Sequence, residues 1–293
     1  HTLLAAAATS LRFDRLNIQG SVLYTHIKDH TDISGASAGS KDVWSPSVAV
    51  RYKPFREHEL DIRAFYKSTF RMPTLNDLYY TFIGNKYLKP EQATQYDIGA
   101  VYSRRFVRRS FKQLELQADI YYNVVNDKIV AIPASNQFQW TMLNLGRVEI
   151  KGLDATMLTR WLFGKVSMHT RVNYTWQQAQ DKTDPSSPYY GGQIPYIPWH
   201  SASATLGAEF CGWSLSYSFI YTGKRYESVA NTPENYAPPW YTHDMSVSKS
   251  FTIRRVGMRA TAELNNIFNQ QYEVVQCYPM PGTNFKIKIN VTI

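Results

Sequence analysis

The chain has 293 residues, with 32 Lys or Arg against 23 Asp or Glu, and a formal net charge of +9. Its basic residues are spread along alternating segments, which excludes a basic nucleic-acid-binding helix and leaves a solvated surface or an anionic partner to explain the charge. No apolar run approaches the roughly 20 residues that a transmembrane helix needs, so a helical membrane protein is also excluded.

Apolar and polar residues alternate along most of the chain, a period that predicts β-strands with one apolar and one polar face. The pattern recurs at lengths sufficient to cross a bilayer, whereas strands in soluble proteins are shorter, about 5–6 residues. In chain order, the thirteen predicted strands are 3–13, 16–28, 43–53, 59–69, 91–106, 112–130, 140–160, 165–178, 200–210, 213–226, 240–251, 256–275 and 283–293.

The two faces of these strands have the composition of a membrane barrel. In the last strand the apolar residues occupy every second position: Phe285, Ile287, Ile289, Val291 and Ile293. The charged residues of other strands, including Glu115, Asp119, Arg171, Arg259 and Glu263, take the opposite phase and would be costly in lipid. We therefore predict an all-β, transmembrane antiparallel barrel in which the charged face lines a wet lumen and the apolar face meets lipid.

Connections between the predicted strands alternate between two lengths. Short ones lie near 14–15, 54–58, 107–111, 162–164, 211–212 and 252–255, and longer ones near 29–42, 70–90, 131–139, 179–199, 227–239 and 276–282. Short turns on the periplasmic side and long loops outside are typical of outer-membrane barrels. Cys211 and Cys277 then fall at opposite ends of the barrel, so we expect no disulfide between them.

The number of strands predicts that the barrel continues beyond this chain. Bacterial single-chain barrels usually have an even number of strands, and thirteen open strands leave two long unpaired edges that lipid does not tolerate. Either one strand is assigned wrongly or the chain is part of a larger barrel. We favour the second explanation and expect residues 1–293 to form one domain, the C-terminal portion of that barrel.

Three stretches carry a family resemblance. Phe70 to Tyr79 (FRMPTLNDLY), followed by Leu88-Lys89-Pro90-Glu91 and Tyr96-Asp97-Ile98-Gly99, resembles one block of the TonB-dependent outer-membrane receptors. Asn144 to Asp154 and the segment from Glu263 to Gly282 (ELNNIFNQQY, then YPMPG) are similar to two further blocks. The three stretches occur in the family's order and together span most of the chain. Thr283 and Ile293 depart from the family's usual residues at those positions.

The resemblance implies a barrel of about 22 strands closed by an N-terminal plug. It also implies import of a scarce nutrient across the bacterial outer membrane with energy from the TonB complex. This chain would supply the last thirteen strands and lack the plug. Expected partners are outer-membrane lipid and lipopolysaccharide, the TonB complex through the missing N-terminal region, the imported ligand and a surface lipoprotein, with no nucleic acid and no cofactor.

The resemblance also narrows the set of ligands that such a receptor would import. Haem receptors of the family carry a His after the first block, and residues 70–91 contain none. The Tyr278 to Gly282 ending and the compact loops are most similar to cobalamin or siderophore receptors of Bacteroidetes-like bacteria. Cobalamin is favoured, with a ferric siderophore as the alternative.

Candidate ligand-binding residues are of two kinds, aromatic residues on outer loops and polar residues beside the first block. They are Tyr189, Tyr190, Tyr196, Tyr236, Trp240, Arg71, Asn76 and Asp77. Amphipathic rings can grip a bulky ligand, but an interfacial aromatic belt explains Trp240 as well. The three polar residues also suit a structural role at the rim.

No catalytic or metal site is predicted, and the oxygen-rich segment containing Asp181 and Asp184 is interpreted as a solvated turn rather than a calcium site. Two other classes of function stay open at this point. One is a soluble or surface-attached structural or adhesive all-β protein, whose core would be the face assigned to lipid. The other is an outer-membrane barrel enzyme, which requires a Ser/His pair on the lipid-facing surface.

Overall fold

A computed structural model describes residues 1–28, 41–55, 59–80, 83–107, 110–133, 140–254 and 256–292. Its elements in chain order are β1 (Thr2–Arg12), β2 (Leu16–Ile27), β3 (Lys41–Tyr52), β4 (Glu59–Arg71), α1 (Leu75–Tyr79), β5 (Glu91–Arg105), β6 (Phe111–Pro133), β7 (Trp140–Phe163), β8 (Val166–Asp181), β9 (His200–Phe210), β10 (Trp213–Thr222), β11 (Arg225–Tyr226), a 3₁₀ turn (Pro233–Asn235), β12 (Tyr236–Ala237), β13 (Trp240–Ile253), β14 (Val256–Asn265), β15 (Glu273–Val275), β16 (Tyr278–Pro279) and β17 (Asn284–Thr292).

Thirteen of the described strands form one antiparallel sheet in the order β1 to β10, then β13, β14 and β17. Each strand pairs with the next long strand along the chain, so the predicted all-β architecture is confirmed. None of the helices in the described ranges has the length and apolar character needed to cross a bilayer.

The pairing register defines a single polar face across the sheet. Arg63 on β4 lies opposite Gly99, Gly99 opposite Asp119, and Asp119 opposite Asp154 on β7. Because directly paired residues point the same way, and every second residue shares a face, Glu115, Arg171, Arg259 and Glu263 all lie on this face with Asp119. We call it the lumenal face.

The other face is apolar and exposed. Ile98 is 65% exposed and Ile120 63%, and on β17 Phe285 is 78% exposed and Ile287 69%. Apolar residues in such a continuous exposed array indicate contact with something other than water, and on a spanning strand that partner is lipid.

Short and long connections alternate as predicted, so the sheet has a turn end and a loop end. At the turn end, Cys211 and Gly212 join β9 to β10 with φ of 46° and 78°. Positive φ at both central residues is the type I′ geometry that matches the twist of two-residue hairpins. Cys277 lies in a connection at the loop end, and both cysteines are free and exposed.

Two predicted strands end earlier in the structure. The strand predicted at 256–275 stops at Asn265, because Asn266 takes a φ of 49° and its side chain builds a turn. The Asn266 amide accepts from Gln270 N at 2.9 Å and donates to the Gln270 carbonyl at 2.9 Å. The strand predicted at 213–226 stops at Thr222, opposite Trp240 where β13 begins, and Arg225–Tyr226 pair instead with Tyr236–Ala237.

Other differences lengthen or add elements. β6 extends beyond its predicted end at 130 because its last residues pair with the start of β7, Pro133 opposite Trp140. β7 extends beyond its predicted end at 160 because its last residues pair with the start of β8, Phe163 opposite Val166. Helix α1 was not predicted. The predicted connections 29–42 and 131–139 fall largely outside the described residues, as does the predicted lipid-facing Ile293.

The buried apolar residues cluster at the loop end. One cluster contains Val125, Val148, Ala179 and Ile194, and another contains Leu78, Leu88 and Ile129. Each combines residues of the sheet with residues of a long connection, so the described parts of these connections, 72–80, 83–90 and 182–199, fold against the strands instead of extending into solvent.

Candidate ligand-binding site at the loop end

Three connections at the loop end, 182–199, 223–239 and 266–283, are tied together by hydrogen bonds. Asn231 Nδ2 donates to the Gln193 carbonyl at 2.9 Å, and Gln193 N donates to Asn231 Oδ1. Tyr196 N donates to the Tyr226 carbonyl at 2.8 Å. Arg225 Nη2 donates to the Glu273 carbonyl at 2.8 Å. The three connections therefore form one packed assembly above the ends of β8 to β14.

This assembly contains a cavity of about 470 Å³, which we call the loop cavity. It lies between the β11–β12 hairpin, the start of β13 and the segment 270–279. Its polar and aromatic walls are formed by Arg225, Glu227, Trp240, Tyr272, Glu273 and Gln276. A mostly apolar pocket with a few converging polar groups is the usual form of a small-molecule site.

A stacked aromatic pair forms one wall of the loop cavity. The rings of Trp240 and Tyr272 have centroids 4.4 Å apart and planes inclined by 28°. Trp240 pairs with Thr222, and the register from β7 through β10 places both on the lumenal face. Trp240 is therefore not part of a lipid-facing aromatic belt.

Arg225 is the most deeply buried charged residue of the cavity wall, with 4% of its surface exposed. Within the described ranges, its Nε and Nη1 atoms have no hydrogen-bond partner, and neither do Trp240 Nε1 and the Tyr196 hydroxyl. A buried donor without an acceptor costs free energy, more so when it is charged. The neighbourhood of Arg225 is thus rich in hydrogen-bond donors that lack acceptors.

Burial shifts the ionisation of these groups. It lowers the pKa of Arg225, partly offset by the negative charge of Glu227. It raises the pKa of Glu227, to which the nearby Glu273 carboxylate adds. It also raises the pKa of the Tyr196 hydroxyl. In each case the low-polarity surroundings disfavour the charged form.

The predicted aromatic residues do not all lie together. Tyr196 lies near Arg225, and Trp240 lines the loop cavity. Tyr236 packs edge-on against Tyr226 with centroids 6.0 Å apart and is largely exposed. Tyr189 and Tyr190 are exposed in a different part of the 182–199 connection, where Lys182 Nζ lies 4.5 Å from the Tyr190 ring centroid. Ligand contact by any of them stays a prediction.

The predicted polar residues lie beside α1 and make contacts that order the rim. Asp77 N donates to Thr74 Oγ1 at 3.1 Å, and Thr74 N donates to Asp77 Oδ2 at 2.9 Å, which together form a capping box. Arg71 Nη2 lies 3.5 Å from the buried Glu91 carboxylate. Asn76 is exposed, and its carbonyl accepts from Tyr80 N at 3.2 Å.

Several residues of the loop cavity were missed by the sequence prediction. Arg225, Glu227, Tyr272, Glu273 and Gln276 come from two connections that are separated by a whole strand hairpin. No local pattern distinguishes them from other loop residues. The one available signal is the position of 270–276 between the NNIFN block and the Pro-Gly ending.

A second polar feature lies deeper on the lumenal face, where three carboxylates and one arginine line the same open cavity. Arg63 Nη2 donates to Asp119 Oδ1 at 2.6 Å, and Gln117 Nε2 donates to Asp119 Oδ2 at 2.8 Å. Asp97 and Asp154 line the same open cavity, and one carboxylate oxygen of each is buried without a partner in the described part of the chain. Opposite Asp119, Gly99 has no room for a Cβ, since the carboxylate occupies that space. We call Asp97, Asp119 and Asp154 the lumenal carboxylates.

In the ranges that the structure describes, no three His, Cys, Asp or Glu side chains are placed so that they could hold one metal ion. The oxygens of the 181–187 segment are used locally. Asp181 Oδ1 accepts from Thr183 N at 2.9 Å, and Asp184 Oδ1 accepts from Ser186 N at 2.9 Å. The hydrogen bonds that Asp184 accepts from the backbone and the side chain of Ser186 lower the pKa of the Asp184 carboxyl group.

Comparison with known proteins identifies a family whose model matches most of the chain. The family model described as "TonB dependent receptor-like, beta-barrel" matches residues 4–267. The "Vitamin B12 transporter BtuB" of Photobacterium profundum is 26% identical over 247 residues, which cover 83% of this chain and 36% of that protein.

Solved structures share the fold. The "Copper transporter OprC" has a TM-score of 0.73 at 17% identity, covering 99% of this chain and 47% of that one. "BauA, the Ferric preacinetobactin receptor from Acinetobacter baumannii" has a TM-score of 0.72 at 14% identity, covering 98% and 42%. The chain thus spans about a third of the curated relative and less than half of these structures.

Proposed function

Since the chain belongs to the TonB-dependent receptor-like β-barrel family, we propose that it forms the loop-bearing barrel wall of a receptor that imports a scarce, bulky nutrient. Barrels of this family lie in the bacterial outer membrane. As a member of the family, this chain is an outer-membrane protein. In the proposed mechanism the ligand binds at the loop end, and energy for its passage comes from the inner-membrane TonB complex.

The observation that carries this proposal is the loop cavity itself. It lies at the end of the sheet with the long connections, it is formed by residues of separate connections, and its wall contains the lumenal Trp240. A cavity at the mouth of the lumen is where an import receptor must first hold its ligand. The family's matched relatives and neighbours are named as transporters and receptors, which supports binding and transport rather than covalent chemistry at the family level.

The lumenal carboxylates support the proposal that another part of the whole receptor fills the lumen. Two of them have a buried oxygen without a partner in the described residues. Of the described residues that line that cavity, Arg63 alone is cationic. Buried carboxylates are stabilised by cationic or hydrogen-bonding partners. A plug that presents basic side chains at this height would supply them.

We favour cobalamin as the ligand. The proposal is supported by the similarity over most of this chain to proteins named vitamin B12 transporters. A ferric siderophore is the second candidate, and its support is weaker because the likeness to the ferric preacinetobactin receptor concerns the fold alone.

The test is uptake by the full-length protein in a host that lacks its own cobalamin receptor. We expect radiolabelled cyanocobalamin to accumulate only when the receptor and a functional TonB complex are both present. A matched strain without TonB separates import from surface binding. TonB-dependent growth on a ferric siderophore without cobalamin uptake would reject cobalamin and select the second candidate. Absence of both activities over a broad panel of bulky nutrients would reject the import function.

A further inference from the structure

We propose that the outward surface of β5 to β9 binds the lipid A part of lipopolysaccharide, with a phosphate group at Lys151 and an acyl chain in an apolar groove beneath it. The site lies on the membrane side of the barrel and is separate from the proposed import function. Three features carry the proposal: the height of Lys151 on the barrel, its lack of a partner, and the shape of the surface below it.

The alternation of apolar and polar residues on β7 changes phase at Lys151. Toward the turn end the outward residues are apolar, such as Leu153 and Met157, and the lumenal ones are polar. Toward the loop end the outward residues are the charged Arg147 and Glu149, and the lumenal side becomes apolar and buried. A strand shows this inversion where it leaves lipid and enters water. Lys151 is therefore the first charged residue above the lipid on this strand.

The length of β7 gives the same boundary. Twelve residues separate Lys151 from Phe163 at the turn end. At about 3.3 Å per residue and a tilt of about 40°, they span roughly 30 Å along the membrane normal, against an apolar band of about 25 Å. Tyr122 lies opposite Lys151 and Tyr96 opposite Tyr122, and tyrosines are enriched at membrane interfaces. Lys151 thus lies at the outer interface, at the height of lipid headgroups.

Lys151 carries a charge that its neighbours do not neutralise. It is exposed, and within the described residues it has no ion pair or hydrogen bond. The other two charges on this part of β7 offset each other, since Arg147 Nη2 lies 2.8 Å from Glu149 Oε1. A lysine at a membrane surface is stabilised by anionic headgroups. A lipid phosphate is therefore the partner that suits Lys151.

Below Lys151 the outward surface contains an apolar groove of about 400 Å³, which we call the acyl groove. Ala118 and Ala155 lie opposite each other and form its floor. Larger apolar side chains border this floor, among them Leu116 and Met157. A flexible acyl chain can fill such a groove and gain dispersion contacts with its walls.

The acyl groove ends at a polar pair at the outer interface. Ala155 lies opposite Tyr174 on β8, and the Tyr174 hydroxyl lies 2.8 Å from His200 Nδ1. His200 is exposed and ten residues from Phe210 at the turn end, so it lies roughly 25 Å above that end. Trp176, opposite His200, belongs to the same interface. The groove therefore leads from the lipid interior to the height of the headgroups.

Charge complementarity and location select lipid A as the occupant. Long loops of outer-membrane barrels face the outside of the cell, so the site meets the outer leaflet, which consists largely of lipopolysaccharide. Lipid A carries phosphate groups beside several acyl chains, which matches a cation above an apolar groove. A zwitterionic phospholipid would place an ammonium group near Lys151, where like charges repel.

The experiment measures lipid binding to the full-length receptor in detergent by native mass spectrometry. The probes are lipid A, lipid A without its phosphate groups, and phosphatidylglycerol. Lys151→Gln removes the cation, and Ala118→Leu fills the acyl groove. The matched controls are Lys165→Gln, an exposed lysine at the turn end, and Ala262→Leu, an outward alanine on β14. Heat-modifiable migration in gels checks that each variant is folded.

We expect the wild type to retain lipid A in preference to the other two probes. Lys151→Gln should weaken lipid A binding about fivefold, the equivalent of roughly 1 kcal/mol, and should reduce the preference for the phosphorylated form. Ala118→Leu should weaken binding of both forms of lipid A and keep that preference. Both control variants should bind as the wild type does.

Three results would overturn the proposal. One is equal lipid A affinity in Lys151→Gln and Lys165→Gln, together with equal affinity in Ala118→Leu and Ala262→Leu. The second is binding of phosphatidylglycerol as tight as that of lipid A, which would select a phospholipid as the occupant. The third is a wild type that retains no lipid A. The uptake assay judges the import function independently of all three.

Discussion

The ring of Tyr121 on β6 lies across Gly152 on the neighbouring strand β7, in the space that a side chain at position 152 would occupy. The two residues are direct partners in the sheet. The Tyr121 hydroxyl reaches beyond β7 to Gln177 Oε1 on β8, at 3.4 Å. Ideal Cβ geometry at 152 collides with the Tyr121 ring, so glycine is required there by close approach. One tyrosine thus covers three strands on the lumenal face.

We expect Gly152→Ala to destabilise the barrel, because the new methyl group must displace the Tyr121 ring. Overpacking of this kind costs typically about 1–3 kcal/mol. The measurement is the free energy of unfolding of the full-length protein in detergent, from denaturant titration. Gly20→Ala is the matched control, since a Cβ there meets only Thr9 Cγ2 at 3.7 Å. Equal stability of the two variants would contradict the packing argument.

Asp119→Asn should also destabilise the barrel. The substitution removes the charge that Arg63 contacts through Nε at 3.0 Å and Nη2 at 2.6 Å, and leaves the guanidinium without a full partner. Hydrogen bonds to charged groups contribute about 1.5–3 kcal/mol, so the loss should be of that order. Asp184→Asn, on an exposed connection, is the control and should behave as the wild type does in the same unfolding titration.

Asp77→Ala should loosen α1 without affecting the sheet. The capping box between Thr74 and Asp77 satisfies two backbone N–H groups at the start of the helix, and loss of such a cap costs about 1 kcal/mol. Hydrogen exchange of the backbone amides of 77–80 should become several times faster. Asn76→Ala changes an exposed side chain of the same helix and should leave these rates as they are. If both variants exchange alike, the cap does not order the helix.

The natural cysteines provide a test of topology. Cys277 lies at the loop end and Cys211 at the turn end, and both are exposed. A membrane-impermeant maleimide applied to intact cells should label Cys277 but not Cys211, as read out in Cys211→Ser and Cys277→Ser variants of the full-length receptor. After the outer membrane is permeabilised, Cys211 should also react. Labelling of Cys211 alone on intact cells would invert the proposed orientation.

We expect the loop assembly to become less stable as the pH rises, because Glu227 loses its proton. Burial raises its pKa above the ordinary value of 4.5, with a further contribution from Glu273. The folded state therefore binds the proton more tightly than the unfolded state. Stability is greatest below the ordinary value and is lost as the pH rises through the folded pKa. Hydrogen exchange of the 270–276 amides, corrected for intrinsic rates, should show protection that falls across this window. Glu227→Gln should remove the dependence.

Much of the sheet was predictable because strand alternation is a local property. The side-chain period of two places Glu115 and Asp119 on one face and Ile120 on the other, whatever the neighbouring strands contain. The ends of strands were predicted less well, since they depend on partners. β10 stops where its partner β13 begins, and β14 stops where the side chain of Asn266 makes bonds with Gln270 that no alternation pattern encodes.

By itself, the sequence determined the all-β class, the lumenal and lipid-facing sides, the alternation of turns and loops, and the family resemblance that led to a receptor. Each of these depends on residue type and on spacing along the chain.

Only the tertiary structure decided which loop residues meet. Arg225, Trp240 and Tyr272 are brought together because β10, β13 and β14 pair side by side and their connections fold onto one another. Tyr189 and Tyr190, equally aromatic in the sequence, lie elsewhere because their segment turns back onto the end of β8, where Gly191 N donates to the Asp181 carbonyl at 2.7 Å. A binding site formed by distant segments is a property of their packing, and packing is not encoded in any one segment.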